Sequence, residues 1–130
     1  MTGKELVQAA MDAAKNAYVP YSNFPVGAAL ECADGSVYTG CNVENAAYGS
    51  TICAERTAMC KAISEGKREF SRIAVWGGSD DYCWPCGACR QFLAEFGYQM
   101  KVLIANAEGE YVEKPLSELM PFAFNTENLK

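Results

Sequence analysis

Apolar residues near the start of the chain recur at helical spacing. Leu6, Ala10, Ala13 and Ala17 share one stripe, with Val7, Met11 and Ala14 beside it, which predicts an amphipathic helix over residues 4–17. The pattern then breaks: Val19-Pro20-Tyr21-Ser22-Asn23-Phe24-Pro25 holds two prolines and an asparagine and reads as loop. Val26 to Cys32 and Val37 to Val43 flank Ala33-Asp34-Gly35-Ser36, and the Asp-Gly turn signal predicts a β-hairpin. A second helix is expected from Cys53 to Glu65, with Ser50 or Thr51 as N-cap and Gly66 placed to end it. Ile73 to Trp76 reads as a short buried strand, and Gly77 to Pro85 as loop. A third helix is expected from Cys86 to Phe96, with Pro85 near its first turn and Gly97 past its end. Met100 to Ala105 predicts a strand, Ala107 to Glu110 a tight turn into a short strand at Tyr111-Val112, and Pro115 to Met120 a last short helix.

Strands alternating with helices indicate an α/β fold with one sheet covered on both faces. No repeat or linker divides the sequence, so residues 1–130 are expected to form a single domain.

Charge and composition narrow the function. The formal net charge is -5 and lysines and arginines do not cluster, so a nucleic-acid partner is not expected. The start of the chain lacks a secretory signal pattern and no segment has the length of a membrane span. Seven cysteines, an odd number, argue for a reducing cytoplasm with thiols that are free, buried or metal-bound. The chain contains no histidine, so proton transfer must fall to carboxylates, thiols or lysines. A small-molecule ligand is the expectation.

The cysteine spacing supplies candidate chemistry. Cys86-Gly87-Ala88-Cys89 puts two thiols on one face at a helix start, where the dipole favours thiolate. Alone, such a pair fits a metal site, a redox dithiol or two buried cysteines. Cys53-Ala54-Glu55-Arg56, at another expected helix start, could bring a third thiolate and a carboxylate to the same point. Structural zinc closes all four positions with protein, whereas three protein ligands leave one open for catalysis. Three thiolates on Zn²⁺ carry a net charge of minus one, and the Arg56 guanidinium is suited to temper it. Each has a simpler reading: Arg56 as a solvated surface group, Glu55 as a carboxylate favoured in a helix's first turn.

Cys53-Ala54-Glu55-Arg56 and Pro85-Cys86-Gly87-Ala88-Cys89-Arg90-Gln91 resemble the two signature segments of cytidine deaminases, specifically the small homotetrameric kind. The resemblance extends to Tyr21, to Val26 through Leu30, to Gly40 through Ala46 and to Leu119-Met120-Pro121. It implies a three-layer α/β/α sandwich around one mixed five-stranded sheet. It also implies one Zn²⁺ per subunit on Cys53, Cys86 and Cys89, and hydrolytic deamination of cytidine and 2′-deoxycytidine in pyrimidine salvage. Water activated at the metal would attack C4, with Glu55 moving protons to N3 and to the departing amino group. It assigns the ribose to Asn42 and Glu44, which stand two apart at a strand end. It places Phe24 beside the nucleoside, the Ala54 backbone at the pyrimidine edge, and Phe124 over the base of a neighbouring subunit in a homotetramer. A plainer reading has Phe122 and Phe124 anchoring the last helix to the core.

Three rivals compete. Cys83, Cys86 and Cys89 stand three apart and with Cys53 could ligate an iron–sulfur cluster. A zinc-stabilised binding module without catalysis is a second. A deaminase of bases in RNA or DNA is a third, disfavoured by the acidic charge and by the tight turn from Asn106 to Glu110, which predicts an antiparallel last strand pair. Other small cyclic amidines remain open as substrates. Cys32, Cys41 and Cys60 read as small buried hydrophobes.

Overall fold

A computed structural model describes residues 1–78 and 82–124. The chain runs α1 (Gly3–Ala14), β1 (Val26–Cys32), β2 (Val37–Cys41), a short 3₁₀ turn (Tyr48–Ser50), α2 (Ala54–Ser64), β3 (Phe70–Gly77), α3 (Gly87–Ala94), β4 (Lys101–Ala105), β5 (Tyr111–Pro115) and α4 (Leu116–Leu119). The strands form one five-stranded sheet in the order β2-β1-β3-β4-β5. Among the described strand pairs of the sheet, β3–β4 alone is parallel, and α3 lies in the connection between them. The mixed α/β/α sandwich is as expected.

Each face of the sheet is covered, so β1 is buried along nearly its whole length instead of alternating with water. On one face Leu6, Val7 and Ala10 of α1 meet Ala29, Ala74, Leu103 and Ala105. On the other, Ala58, Met59 and Ala62 of α2 and Leu93 of α3 meet Ala28, Leu30, Ile73, Val102 and Ile104. Full burial of each large side chain is worth about 1.5–3 kcal/mol, enough to lock the helices in place. Two glycines set how closely the helices approach. A Cβ on Gly27 would fall 1.8 Å from the Ala10 carbonyl oxygen, and one on Gly40 would fall 2.5 Å from that of Ala54.

Several boundaries shift. The first helix ends at Ala14, not residue 17, and starts on a capping box in which Thr2 and Glu5 exchange hydrogen bonds. The second hairpin strand ends at Cys41; Val43 instead makes isolated bridges to Tyr18 and Ile52. Neither Ser50 nor Thr51 caps α2: the cap is Cys53, because Thr51 is still extended and belongs to the bridge region. The strand expected at residues 73–76 runs from Phe70 to Gly77, extended by pairing with β1. The last strand reaches Pro115, and its pairing with β4 is antiparallel as expected. The turn before it is held by the Asn106 side-chain oxygen, which accepts from the Glu108 and Glu110 amides, with Gly109 at φ 86°.

Candidate active site

Helices α2 and α3 each begin on a cysteine. Cys53 caps α2 and Cys86 caps α3, with the Cys86 sulfur accepting from the Cys89 amide at 3.4 Å. Cys89 follows one turn later, fully buried. The sulfurs of Cys53, Cys86 and Cys89 lie within 4.8 Å of one another. Thiolates sharing a tetrahedral zinc stand about 3.8 Å apart, so a small contraction would close the set. Two helix dipoles aim their positive ends at the cluster.

The charges around the sulfurs favour a cation. The Cys53 thiol is drawn down to about 5, first by hydrogen bonding with Cys89 and further by Arg56 and Cys86. Cys89 is pushed well up, by that same hydrogen bond to Cys53 and by burial. The cluster thus takes one negative charge readily and resists a second, a tension that a dication relieves. Arg56 sits against it: Nη2 donates to the Cys53 sulfur at 3.7 Å and to the Thr51 carbonyl at 3.1 Å. Its Nε is buried and lacks a hydrogen-bond partner among the described residues. The donor set therefore fits zinc.

Glu55 is buried beside this cluster, 4% exposed. Burial, and after it the Cys53 thiolate, raise its carboxyl above the ordinary carboxylate range. A carboxyl made more basic in this way is better suited to accept a proton and hand it on. A cavity of about 230 Å³ opens onto Cys53, Glu55 and Cys86, walled by Phe24, Asn42, Thr51, Ala54, Cys83 and Trp84. Three clustered thiols, a buried carboxyl and an adjoining cavity thus meet at one place.

Residues 1–105 match the family model for the cytidine and deoxycytidylate deaminase zinc-binding region. The chain belongs to this deaminase family. It is 48% identical to a cytidine deaminase of Sporosarcina psychrophila over 130 residues, covering 99% of this chain and 96% of that protein. The crystal structure of a cytidine deaminase from Burkholderia pseudomallei superposes with a TM-score of 0.93 at 48% identity, covering 95% of this chain and all of that one (100%). A crystal structure of cytidine deaminase from Mycobacterium tuberculosis superposes with a TM-score of 0.83 at 42% identity, over 95% of this chain and 98% of that one.

Within this deaminase fold the remaining sequence candidates fall in different places. Asn42 lines the central cavity, but both ends of its amide also hold the backbone: Oδ1 accepts from the Val26 amide and Nδ2 donates to the Phe24 carbonyl, each at 3.0 Å. Glu44 lines an adjoining cavity of about 380 Å³ with Tyr21, Ser22, Tyr48 and Thr51. Its carboxylate accepts from the Tyr21 and Ser22 amides and the Ser22 hydroxyl. Thr51 borders both cavities. Phe124 is 59% exposed and does not line either cavity, and Gln91 donates to its carbonyl at 2.7 Å. Neither phenylalanine anchors the last helix to the core; Ala123 packs there while Phe122 is fully exposed.

Cys83 is not one of the clustered sulfurs, which removes the fourth ligand an iron–sulfur site needs. Its amide donates to Ala105, and its thiol is pushed up to about 11 by burial and by Glu55. Cys32 is buried as expected and Cys41 half-buried, whereas Cys60 is exposed because α2 turns that side to solvent. Thr51, Val26 and Trp84 also border the central cavity, a place the sequence did not assign to them. Only Trp84, two residues before Cys86, carried a signal in its position.

Proposed function

We propose that this chain is a cytidine deaminase, hydrolysing cytidine and 2′-deoxycytidine to their uracil nucleosides with release of ammonia. The observation that carries the reading is the convergence of three thiols from two helix N-termini with one buried carboxyl at a single cavity. Cys53, Cys86 and Cys89 would hold one Zn²⁺ per chain. Zinc in a three-ligand site supplies a Lewis acid and makes water acidic near pH 7. Glu55 takes the proton of the attacking water, delivers one to N3 of the ring and passes one to the amino group as it leaves C4. Burial keeps its carboxyl basic enough to accept that proton and able to return it. Arg56 tempers the excess negative charge of the thiolates.

Phe24 packs beside the base and the Ala54 backbone meets the pyrimidine edge. Asn42 and Glu44 face the sugar. Each has capacity left, since an ionised carboxylate has about four acceptor positions and the amide a second N–H. The two cavities are lined by Tyr21, Ser22, Glu44, Tyr48 and Thr51 and by the residues around Cys53, and among the described residues neither lining includes a lysine or arginine. That lining favours a free nucleoside over a nucleotide or a polynucleotide, whose phosphates need cationic partners.

Assembly into a homotetramer completes each site, with Phe124 of one copy covering the base bound by another; exposure of Phe122 and Phe124 beside the chain end supports this. Residues 1–130 act as one catalytic domain in pyrimidine salvage in the cytoplasm. No helix among the described residues is long and apolar enough to cross a membrane.

The test is turnover. Purified protein is incubated with cytidine, 2′-deoxycytidine, cytosine and adenosine, following ultraviolet absorbance and ammonia. Both cytidines should react, and Glu55→Gln should lower kcat by about 10²–10⁴-fold while zinc content and folding persist. Absence of turnover with either cytidine would sink the reading, and a Glu55→Gln protein of unchanged rate would leave only a structural zinc site.

A further inference from the structure

Phe24 and Trp84 are the aromatic side chains that line the central cavity, and both remain partly open to solvent, at 37% and 47% exposure. An exposed ring is common on a protein surface and by itself says little. Trp84 differs in how firmly it is held. The residue before it donates its amide to the Ala105 carbonyl at 3.0 Å. The residue after it, Pro85, is buried, and its carbonyl accepts from Arg90 Nε at 2.8 Å. Arg90 is itself pinned, with Nη1 donating to the Leu119 carbonyl at 2.9 Å. Pro85 further confines the backbone of Trp84 to extended conformations. The indole is thus carried on a short strap tied to β4 on one side and to α3 on the other.

Neither ring is used up by a neighbour. Among the described residues the aromatic pairs are Tyr21–Tyr48, Phe70–Phe96 and Phe92–Phe96, so Phe24 and Trp84 stack neither on each other nor on a third ring. Two aromatic residues outside any ring pair, lining the same cavity as a buried carboxyl, suit a flat, uncharged heterocycle.

We infer that Trp84 is a specificity-determining residue, which supplies the cavity with a second aromatic wall from the same chain and selects for a planar base. This rests on the reading of the cavity as a nucleoside site. A ring that contacts the base equally before and during reaction contributes uniform binding, so its loss raises KM and spares kcat.

The chain has two tryptophans, which gives a readout independent of turnover. Trp76 lies apart, donating its indole N–H to the Ala107 carbonyl at 3.1 Å and lining a cavity beside α1. Titration of the zinc-loaded Trp76→Phe protein with uridine, the product, should change tryptophan emission saturably. In the same assembly Trp84→Leu should raise KM for cytidine about tenfold with kcat within about twofold. Trp84→Phe should recover most of that loss, since it restores a π face and Leu restores only apolar bulk. Zinc content should stay at one per chain in all three.

If the Trp76→Phe protein turns over cytidine while its emission ignores saturating uridine, or if Trp84→Leu keeps the parental KM, the role of Trp84 is overturned and the activity stands. If the parent protein fails to turn over cytidine, both fall.

Discussion

The floor of the site and its rim are built in different ways. Cys53, Glu55, Arg56, Cys86 and Cys89 stand in the first turns of α2 and α3, whose inner faces are locked into the core by Ala58, Met59, Ala62 and Leu93. Phe24, Asn42, Glu44, Thr51 and Trp84 lie outside the long helices and strands, and hydrogen bonds tie their segments down. Groups that must meet a metal and a reacting atom need tight placement, which packed helices supply. Groups that recognise a ligand tolerate looser anchoring, at about 1 kcal/mol per hydrogen bond. Damage to the floor should therefore abolish chemistry, and damage to the rim should weaken binding.

The largest effect is expected at Cys89, the most buried of the three sulfurs. Cys89→Ala should lose bound zinc and all measurable turnover, because two thiolates do not make a catalytic zinc site. Cys83→Ala is the control, a nearby thiol outside the cluster. It should retain one zinc per chain. Metal analysis of both variants after gel filtration decides the point: a zinc-replete Cys89→Ala or a zinc-free Cys83→Ala would erase the distinction between floor and wall.

The same division explains what the sequence could tell. The floor was legible because metal chemistry restricts residue type, and the helix-start spacing of Cys86 and Cys89 follows from backbone geometry alone. The five strands were legible too, since periodicity and the Asp34-Gly35 turn are local signals. The rim was not. That Asn42 faces the central cavity and Glu44 the adjoining one depends on how residues 18–25 fold back over the end of β2. Strand alternation would put both side chains on one side, but β2 has already ended at Cys41. The Cys53 cap also escaped, because Ser50 and Thr51 are the better capping types and the bridge of Val43 to Ile52 holds Thr51 away from the helix.

Arg56 joins the two regions, since one guanidinium nitrogen donates both to the Cys53 sulfur and to the Thr51 carbonyl. Arg56→Gln should weaken zinc binding by about 10–100-fold, the usual cost of removing a group that supports a metal ligand. KM for cytidine should rise with it, because Thr51 borders both cavities. Arg56→Lys should restore part of the zinc affinity through its charge but not the double contact. Competition with a chelator measures the first effect and steady-state kinetics the second. A change in zinc affinity without any change in KM would show that floor and rim are independent.

The smallest effect is expected at Asn42, where the rim alone is altered. Its side chain clamps the segment before β1 by accepting from the Val26 amide and donating to the Phe24 carbonyl. The backbone pairing of the Asn42 amide with the Val26 carbonyl at 3.2 Å survives truncation, so Asn42→Ala should stay folded. It should lose about 1–2 kcal/mol of stability, from one partly buried amide and one carbonyl left to find water. Loosening Phe24 and removing a sugar contact should raise KM about fivefold, with kcat and zinc content near those of the parent. Asn42→Asp keeps the acceptor for Val26 and loses the donor for Phe24, so its KM should fall between the two. Should Asn42→Ala lower kcat or zinc content while leaving KM unchanged, the clamp would belong to the floor, and the anchoring of loop residues would reach into the chemistry itself.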